Sequence, residues 1–208
     1  MQLVTIDFET FYDVGYSLNK LTTEEYIRDP RFQVIGVGIK IDDGLTHWHT
    51  GTHKDIHAVL DTIDWGASAL VCHNTMFDGA ILSFVFDISP KVYFDTLSMA
   101  RAYHGTNVSG SLKALAERYQ LGEKGTEVLD AKGKRLEDFD GEELGAYGNY
   151  CVNDVELTYK LFNILKVHYP LGELKLIDLT IRMFTQPQLK VDDALLIDRL
   201  AEIKEEKQ

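Results

Sequence analysis

The sequence predicts an α/β fold, a mixed five-stranded sheet with helices on its faces. Three observations lead there. An apolar, β-branched run opens the chain, two further strand patterns joined by a turn follow it, and from about residue 54 helix and strand patterns alternate before helices take over.

Taken in order, LVTIDFET makes a strand over about residues 2 to 8, and a polar, aromatic-bearing connection then runs through Tyr12, Tyr16 and Tyr26. QVIGVGIKI at 33 to 41 alternates along its length, and the Asp43-Gly44 turn leads from it into LTHWHT, which completes an antiparallel three-stranded unit. A helix near 54 to 63, the strand ALVCH at 69 to 73, a helix near 77 to 86 and the strand KVYF at 91 to 94 come next. Asp95-Thr96 caps a helix running into LSMARAYH, and Ser111 opens LKALAERYQL. From Leu121 to Gly141 the chain turns polar and glycine-bearing, as a surface loop beside a site would, and the acidic EDFDGEE at 137 to 143 favours the start of the next helix. That helix is expected from Glu142 to about His168, ended by Pro170 and Gly172. Residues 173 to 186 are helical again, Pro187 interrupts, and a last helix stops without a cap, as expected of a piece of a larger protein. The natural division is 1–170 and 171–208.

A hydrophobic content of 45% supports an ordinary core, but 33 Asp and Glu against 21 Lys and Arg give a net charge of −12. That sign excludes a grip on long duplexes through phosphate neutralisation, and no cationic groove is evident. It fits an enzyme that holds a few terminal nucleotides, where bound cations offset its own carboxylates. Cys72 and Cys151 read as buried free thiols of a reducing compartment. The opening MQLVTIDF carries no leader and no run is long enough to span a membrane, so the cytoplasm, or a host's cytoplasm, is expected. The spacing of His47, His49, His53 and His57 permits a zinc site physically, but no cysteine or other fixed ligand supports one.

The chemistry gathers elsewhere. Asp7 and Glu9, two apart on a strand, project from one face. Tyr150 and Asp154, four apart on a helix, share one face a turn apart. Asp78 lies in CHNTMFDGAIL, with Asn74 four residues before it, placed to orient a carboxylate, to bind the nucleotide as part of the substrate site, or simply to form the turn. Oxygen ligands of this kind suit hard cations, and two Mg²⁺ or Mn²⁺ ions held by Asp7, Glu9, Asp78 and Asp154 suit displacement at phosphorus. Tyr150, a poor base at neutral pH, is expected to orient the attacking water. Two carboxylates stranded at the end of a buried strand without metal or donors would be costly. Asp78, Asp154 and Tyr150 are each unremarkable singly and gain meaning from the set.

These segments resemble the three motifs of the DEDD superfamily of 3′→5′ exonucleases: Asp7-Phe-Glu9, Asn74-Thr-Met-Phe-Asp78 and Tyr150-Cys-Val-Asn-Asp154. Tyr four residues before the last Asp, with Asn149 where the histidine subclass has His, resembles the tyrosine subclass. FETFYDVGYSL, EEYIRDPRFQVIGVG, the Lys124-Gly125 loop and the tail ELKLIDLTIRMFTQPQLKVDDALL look like the N-terminal part of bacteriophage family A DNA polymerases. The resemblance implies a ribonuclease H-like fold, proofreading removal of nucleoside 5′-monophosphates from single-stranded or mismatched DNA 3′ ends, and a polymerase domain continuing after the helices of 171–208. It also makes Thr10, Phe11 and Phe77 candidates to hold the terminal nucleotide. The alternatives are an RNA 3′→5′ exonuclease of the ribonuclease D kind and a non-catalytic module that binds single strands or scaffolds replication. A glycosidase explains neither the tyrosine nor four acids.

Overall fold

The computed structural model describes residues 1–105, 107–123 and 131–207. Its five strands are β1 (Gln2–Thr10), β2 (Val34–Ile41), β3 (Thr46–Thr50), β4 (Ser68–Cys72) and β5 (Val92–Asp95), in the order β3-β2-β1-β4-β5. The pairings β1–β2 and β2–β3 are antiparallel, while β1–β4 and β4–β5 are parallel, which is the expected mixed sheet. A short turn joins β2 to β3 and a long connection over residues 11–33 joins β1 to β2, while the parallel strands follow helix-bearing crossovers.

Helices α1 (Thr23–Arg28), α2 (His53–Leu60), α3 (Thr75–Phe86), α4 (Thr96–His104), α5 (Leu112–Tyr119), α6 (Gly141–Leu165), α7 (Leu171–Thr185) and α8 (Asp193–Glu206) complete the described fold. Three details differ from the sequence reading. β1 runs on to Thr10, so Glu9 lies inside the strand. α1 forms within the supposed connection, because Thr22 and Glu25 close a capping box on each other's backbone. Gly172 does not end α6; α7 starts at Leu171, with Pro170 at its N-cap. The Lys124-Gly125 segment lies outside the described residues.

Each face of the sheet has its own core. Val4, Ile6 and Phe8 of β1 pack with Ile56 and Leu60 of α2 and with Ile81, Leu82 and Phe86 of α3. On the opposite face, Val71 packs with Met99, Leu115, Leu157 and Leu161 of the helices α4, α5 and α6. Since strand side chains alternate, the odd positions of β1, Asp7 and Glu9 among them, point toward α6.

α6 lies close on this face because glycines make room. In β2, Gly38 pairs with Asp7 and Gly36 with Glu9. A Cβ on Gly38 would come within 2.9 Å of the Cys151 sulfur, and one on Gly148 within 2.5 Å of the Trp48 ring. At the far edge α7 is tied down by Tyr93 N donating to Asp178 Oδ1 at 2.8 Å and Ser83 Oγ donating to Thr185 O at 2.6 Å. α8 has no buried residue, and Leu195, Leu196, Ile197 and Leu200 are exposed. Among the described residues no helix is long and apolar enough to cross a membrane.

Candidate active site

β4 ends at Cys72 and pairs with β1 only as far as Thr5. Beyond that point β1 has no strand on this side, and Asp78, in the first turn of α3, fills the gap by accepting the Phe8 N–H at 3.0 Å. Asp78 is thereby fixed against the backbone between Asp7 and Glu9. Burial, with the Asp7 charge second, holds its carboxyl well above the usual range.

Asp95 is what holds α3 in this position. It caps α4 through Leu97 N (3.2 Å) and Ser98 N (3.1 Å), as its sequence context indicated. The same carboxylate also accepts from Asn74 N at 2.8 Å and Thr75 N at 3.2 Å, pinning the turn that starts α3. Asn74 adopts the left-handed conformation (φ 74°) and makes no side-chain cap, so its turn-forming role is the one seen. Asp95→Ala is expected to cost about 2–4 kcal/mol, because a cap is lost and the Asn74 and Thr75 amides lose their acceptor. Urea melts check this, and a change below about 0.5 kcal/mol would contradict it.

Over β1, α6 begins at Asp140, whose carboxylate accepts from Glu142 N and Glu143 N at 2.9 Å in a capping box with Glu143. The helix presents Tyr147, Tyr150, Cys151 and Asp154, all buried, toward Asp7 and Glu9. The Tyr150 hydroxyl donates to Asp154. Its pKa is driven upward by burial, then by Asp154, Glu9 and Asp7, so the hydroxyl stays protonated at neutral pH. Cys151 Sγ lies 3.3 Å from the Asp7 carbonyl oxygen, and its sulfur and the carboxylates of Asp7 and Glu9 offer ligand atoms within 4.8 Å of one another. Burial pushes that thiol up as well, so it remains neutral and is a packing group here.

The charges acting on Asp78, Tyr150 and Cys151 all come from acidic side chains: Asp7, Glu9, Asp95 and Asp154. Carboxylate oxygens crowded in a buried region of one sign are a donor set that fits a hard divalent cation.

Beside Glu9 is a hollow of about 260 Å³, lined by Phe8, Thr10, Tyr12, Tyr26, Phe77 and Tyr147 among others. Thr10 and Phe77 are therefore at the site's edge. Phe11 is not. It is 6% exposed, stacks on Tyr16 at 5.8 Å, and carries the Arg135 guanidinium 4.1 Å over its ring. Arg31, bidentate to Asp29, lies 4.6 Å over Tyr16, and Lys134, paired with Glu143, lies 5.6 Å over Phe139. His53 and His57 stack on Phe86, and their Nε2 atoms each lie 3.2 Å from a carbonyl oxygen, of Val85 and Phe86 respectively; among the described residues the group of ligand atoms that could hold an ion is Asp7, Glu9 and Cys151.

A family model described as 3′-5′ exonuclease matches residues 22–169. The chain belongs to that family. The matched span holds Asp78, Tyr150 and Asp154, while β1 with Asp7 and Glu9 precedes it. Among curated proteins none matches in sequence. Of solved structures, the exonuclease chain resembles Brucella melitensis NrnC with bound Mg²⁺ (TM-score 0.58, 18% identity, 88% of this chain and 81% of that one). It also resembles Trypanosoma brucei RNase D in complex with RNA U12 (TM-score 0.65, 13% identity, 91% and 65%). A third likeness is to the family B DNA polymerase of Pyrobaculum calidifontis (TM-score 0.60, 16% identity, 89% and 26%). At these identities the likeness is one of fold, and the fold is that of ribonuclease H-like exonucleases.

The spacings in the sequence pointed to four acids and Tyr150. They did not single out Tyr147, whose hydroxyl donates to Glu9. Its signal was present: it precedes Tyr150 by three residues, on the same helix face.

Proposed function

We propose that this exonuclease removes nucleoside 5′-monophosphates from single-stranded or mismatched DNA 3′ ends, as the proofreading unit of a bacteriophage-type family A DNA polymerase. The observation that carries the reading is the convergence of three elements at one end of the sheet: Asp78 of α3 bonds to the β1 backbone next to Asp7, and Tyr150 of α6, beside Asp154, feels the charges of Asp7 and Glu9. Tyr150 beside Asp154 supports the tyrosine subclass for this site. Residues 1–170 form the exonuclease unit, and the helices of 171–208 lead from it toward the polymerase domain.

Two divalent cations, Mg²⁺ or Mn²⁺, held by Asp7, Glu9, Asp78 and Asp154, would supply a lowered pKa for the attacking water and charge stabilisation for both oxygens in line at phosphorus. The protein's own groups do the rest. The protonated Tyr150 hydroxyl, fixed by Asp154, orients the water rather than deprotonating it. The hollow at Phe77, Thr10 and Tyr12 receives the terminal nucleoside, with an aromatic wall for the base. A mismatched end reaches this hollow more readily because its bases are already unstacked.

RNA is the second reading, favoured by the neighbours: one RNase D is bound to RNA, and NrnC occurs bound to pGG. Matched 5′-labelled DNA and RNA oligonucleotides, with a mismatched DNA primer as third substrate, separate the two. The expected order is mismatched DNA, then paired DNA, then RNA. Faster RNA digestion would transfer the assignment to RNA, and binding without hydrolysis in both Mg²⁺ and Mn²⁺ would remove the enzymatic reading.

A further inference from the structure

We propose that Tyr147 is a positioning residue, whose hydroxyl sets the Glu9 carboxylate in the orientation that a cation at this site requires. The inference rests on the metal-dependent reading above and adds a second tyrosine to it. Tyr147 and Tyr150 lie three residues apart on one face of α6, and their hydroxyls serve different carboxylates: Tyr150 donates to Asp154, Tyr147 to Glu9. One helix thus reaches both an acid of its own and an acid of β1.

The ring of Tyr147 has little freedom. It is 3% exposed and is stacked on Phe139 at 5.6 Å with an interplanar angle of 9°. On another side it lies 6.4 Å from Tyr150 with an angle of 25°, and Trp48 meets it at 6.3 Å. Trp48 in turn is held against Gly148, the next residue of α6, where a Cβ would come within 2.5 Å of the indole. A ring fixed on three sides gives its hydroxyl a fixed place. A carboxylate that accepts from it cannot turn freely about its own side-chain torsions.

Glu9 needs such an anchor more than Asp7 does. Its side chain is longer by one methylene and so has one more torsion to restrain. Glu9 also offers a ligand oxygen within 4.8 Å of one from Asp7, so the carboxylate that Tyr147 restrains is one of the pair that could share a cation. A phenol hydroxyl is protonated throughout the neutral range and so is a donor to a carboxylate. Partners of this outer kind change metal affinity or activity by about 10–100-fold when removed. Tyr147 also lines the hollow beside Glu9, but the hydroxyl, not the ring, carries the proposed role.

Tyr147→Phe isolates that hydroxyl. The expected result is Mn²⁺ binding to the substrate-free protein, read by electron paramagnetic resonance of the free ion, weakened about tenfold. The circular dichroism melt should stay within a few degrees of wild type. With a 5′-labelled oligonucleotide, kcat at fixed Mn²⁺ should fall while KM for the oligonucleotide holds, and raising Mn²⁺ should recover much of the rate. Glu9→Gln provides the comparison: if Tyr147 acts through Glu9, adding Tyr147→Phe to Glu9→Gln causes little further loss. Wild-type Mn²⁺ affinity in Tyr147→Phe, or full additivity in the double variant, would overturn the proposal. Cleavage by the wild-type chain reports separately on the exonuclease reading. Cleavage together with unaltered Mn²⁺ affinity in Tyr147→Phe would remove only the positioning role, and weakened affinity without any wild-type cleavage would remove only the exonuclease reading.

Discussion

Asp7→Asn is expected to lower 3′-end removal by about a thousandfold, close to 4 kcal/mol of transition-state stabilisation, while making the metal-free chain more stable. Both effects have one origin. Asp7 is the acid felt by Asp78, Tyr150 and Cys151 alike, so it is the carboxylate through which the others are coupled. Taking away its charge removes a proposed cation ligand and also removes repulsion from a carboxyl, that of Asp78, which is 2% exposed. Sites assembled for charge that arrives only with cation and substrate are commonly destabilising while empty.

The pH dependence follows with a definite sign. Asp78 has its folded pKa raised above the ordinary 3.8. Its contribution to stability is therefore fully present below that ordinary value and is lost as pH rises through the raised one. In urea melts of the metal-free protein, the wild type should lose more stability over that rise than Asp7→Asn, since Asp7 is the largest charge acting on Asp78. Retention of activity within tenfold would sink the role of Asp7. An identical pH slope in the two proteins would sink the account of the coupling.

Much of this was legible in the sequence, for identifiable reasons. The succession of strands and helices, and hence the mixed sheet, followed from patterns with a period of two, broken by turn residues and then by helix-length insertions, and those patterns are local. Asp7 with Glu9, and Tyr150 with Asp154, were legible because spacings of two and four fix a shared face once the element is known. α1 was not, since six residues held by the Thr22–Glu25 capping box give too short a period to stand out among tyrosines. The double use of Asp95 was half visible: capping is a local signal, but bonds to Asn74 and Thr75 span about twenty residues of sequence. Phe11 shows the reverse failure. Its place beside the motif made it a candidate for the nucleotide, but the side chain turns into the core beneath Arg135. Adjacency in sequence says nothing of which face a side chain takes after a strand ends at Thr10.

The glycines of QVIGVG carry a consequence as large as that of the acids. Gly38→Val is expected to lower stability by about 1–3 kcal/mol through overpacking. It should also reduce exonuclease activity per folded molecule by about a hundredfold, since a displacement near 1 Å has that effect on reacting groups. Gly38 pairs with Asp7 across β1 and β2, and a Cβ there would already meet the Cys151 sulfur at 2.9 Å and Val155 Cγ2 at 3.0 Å. Cys151 and Val155 each adjoin a site residue, Tyr150 and Asp154, so a branched side chain at 38 pushes on the turn of α6 that holds both. The sheet side cannot yield easily, because β2 is paired on both edges. α6 therefore moves, and Tyr150 and Asp154 move away from Asp7 and Glu9 with it. Gly145→Ala on the same helix is the control: nothing lies within 4 Å of its Cβ position, so it should stabilise by up to about 1 kcal/mol and leave the rate unchanged. Melting curves and rates scaled to the folded fraction decide the matter. If Gly38→Val is destabilised but cleaves normally once folded, helix and strand are not coupled through this contact, and the glycine serves packing alone.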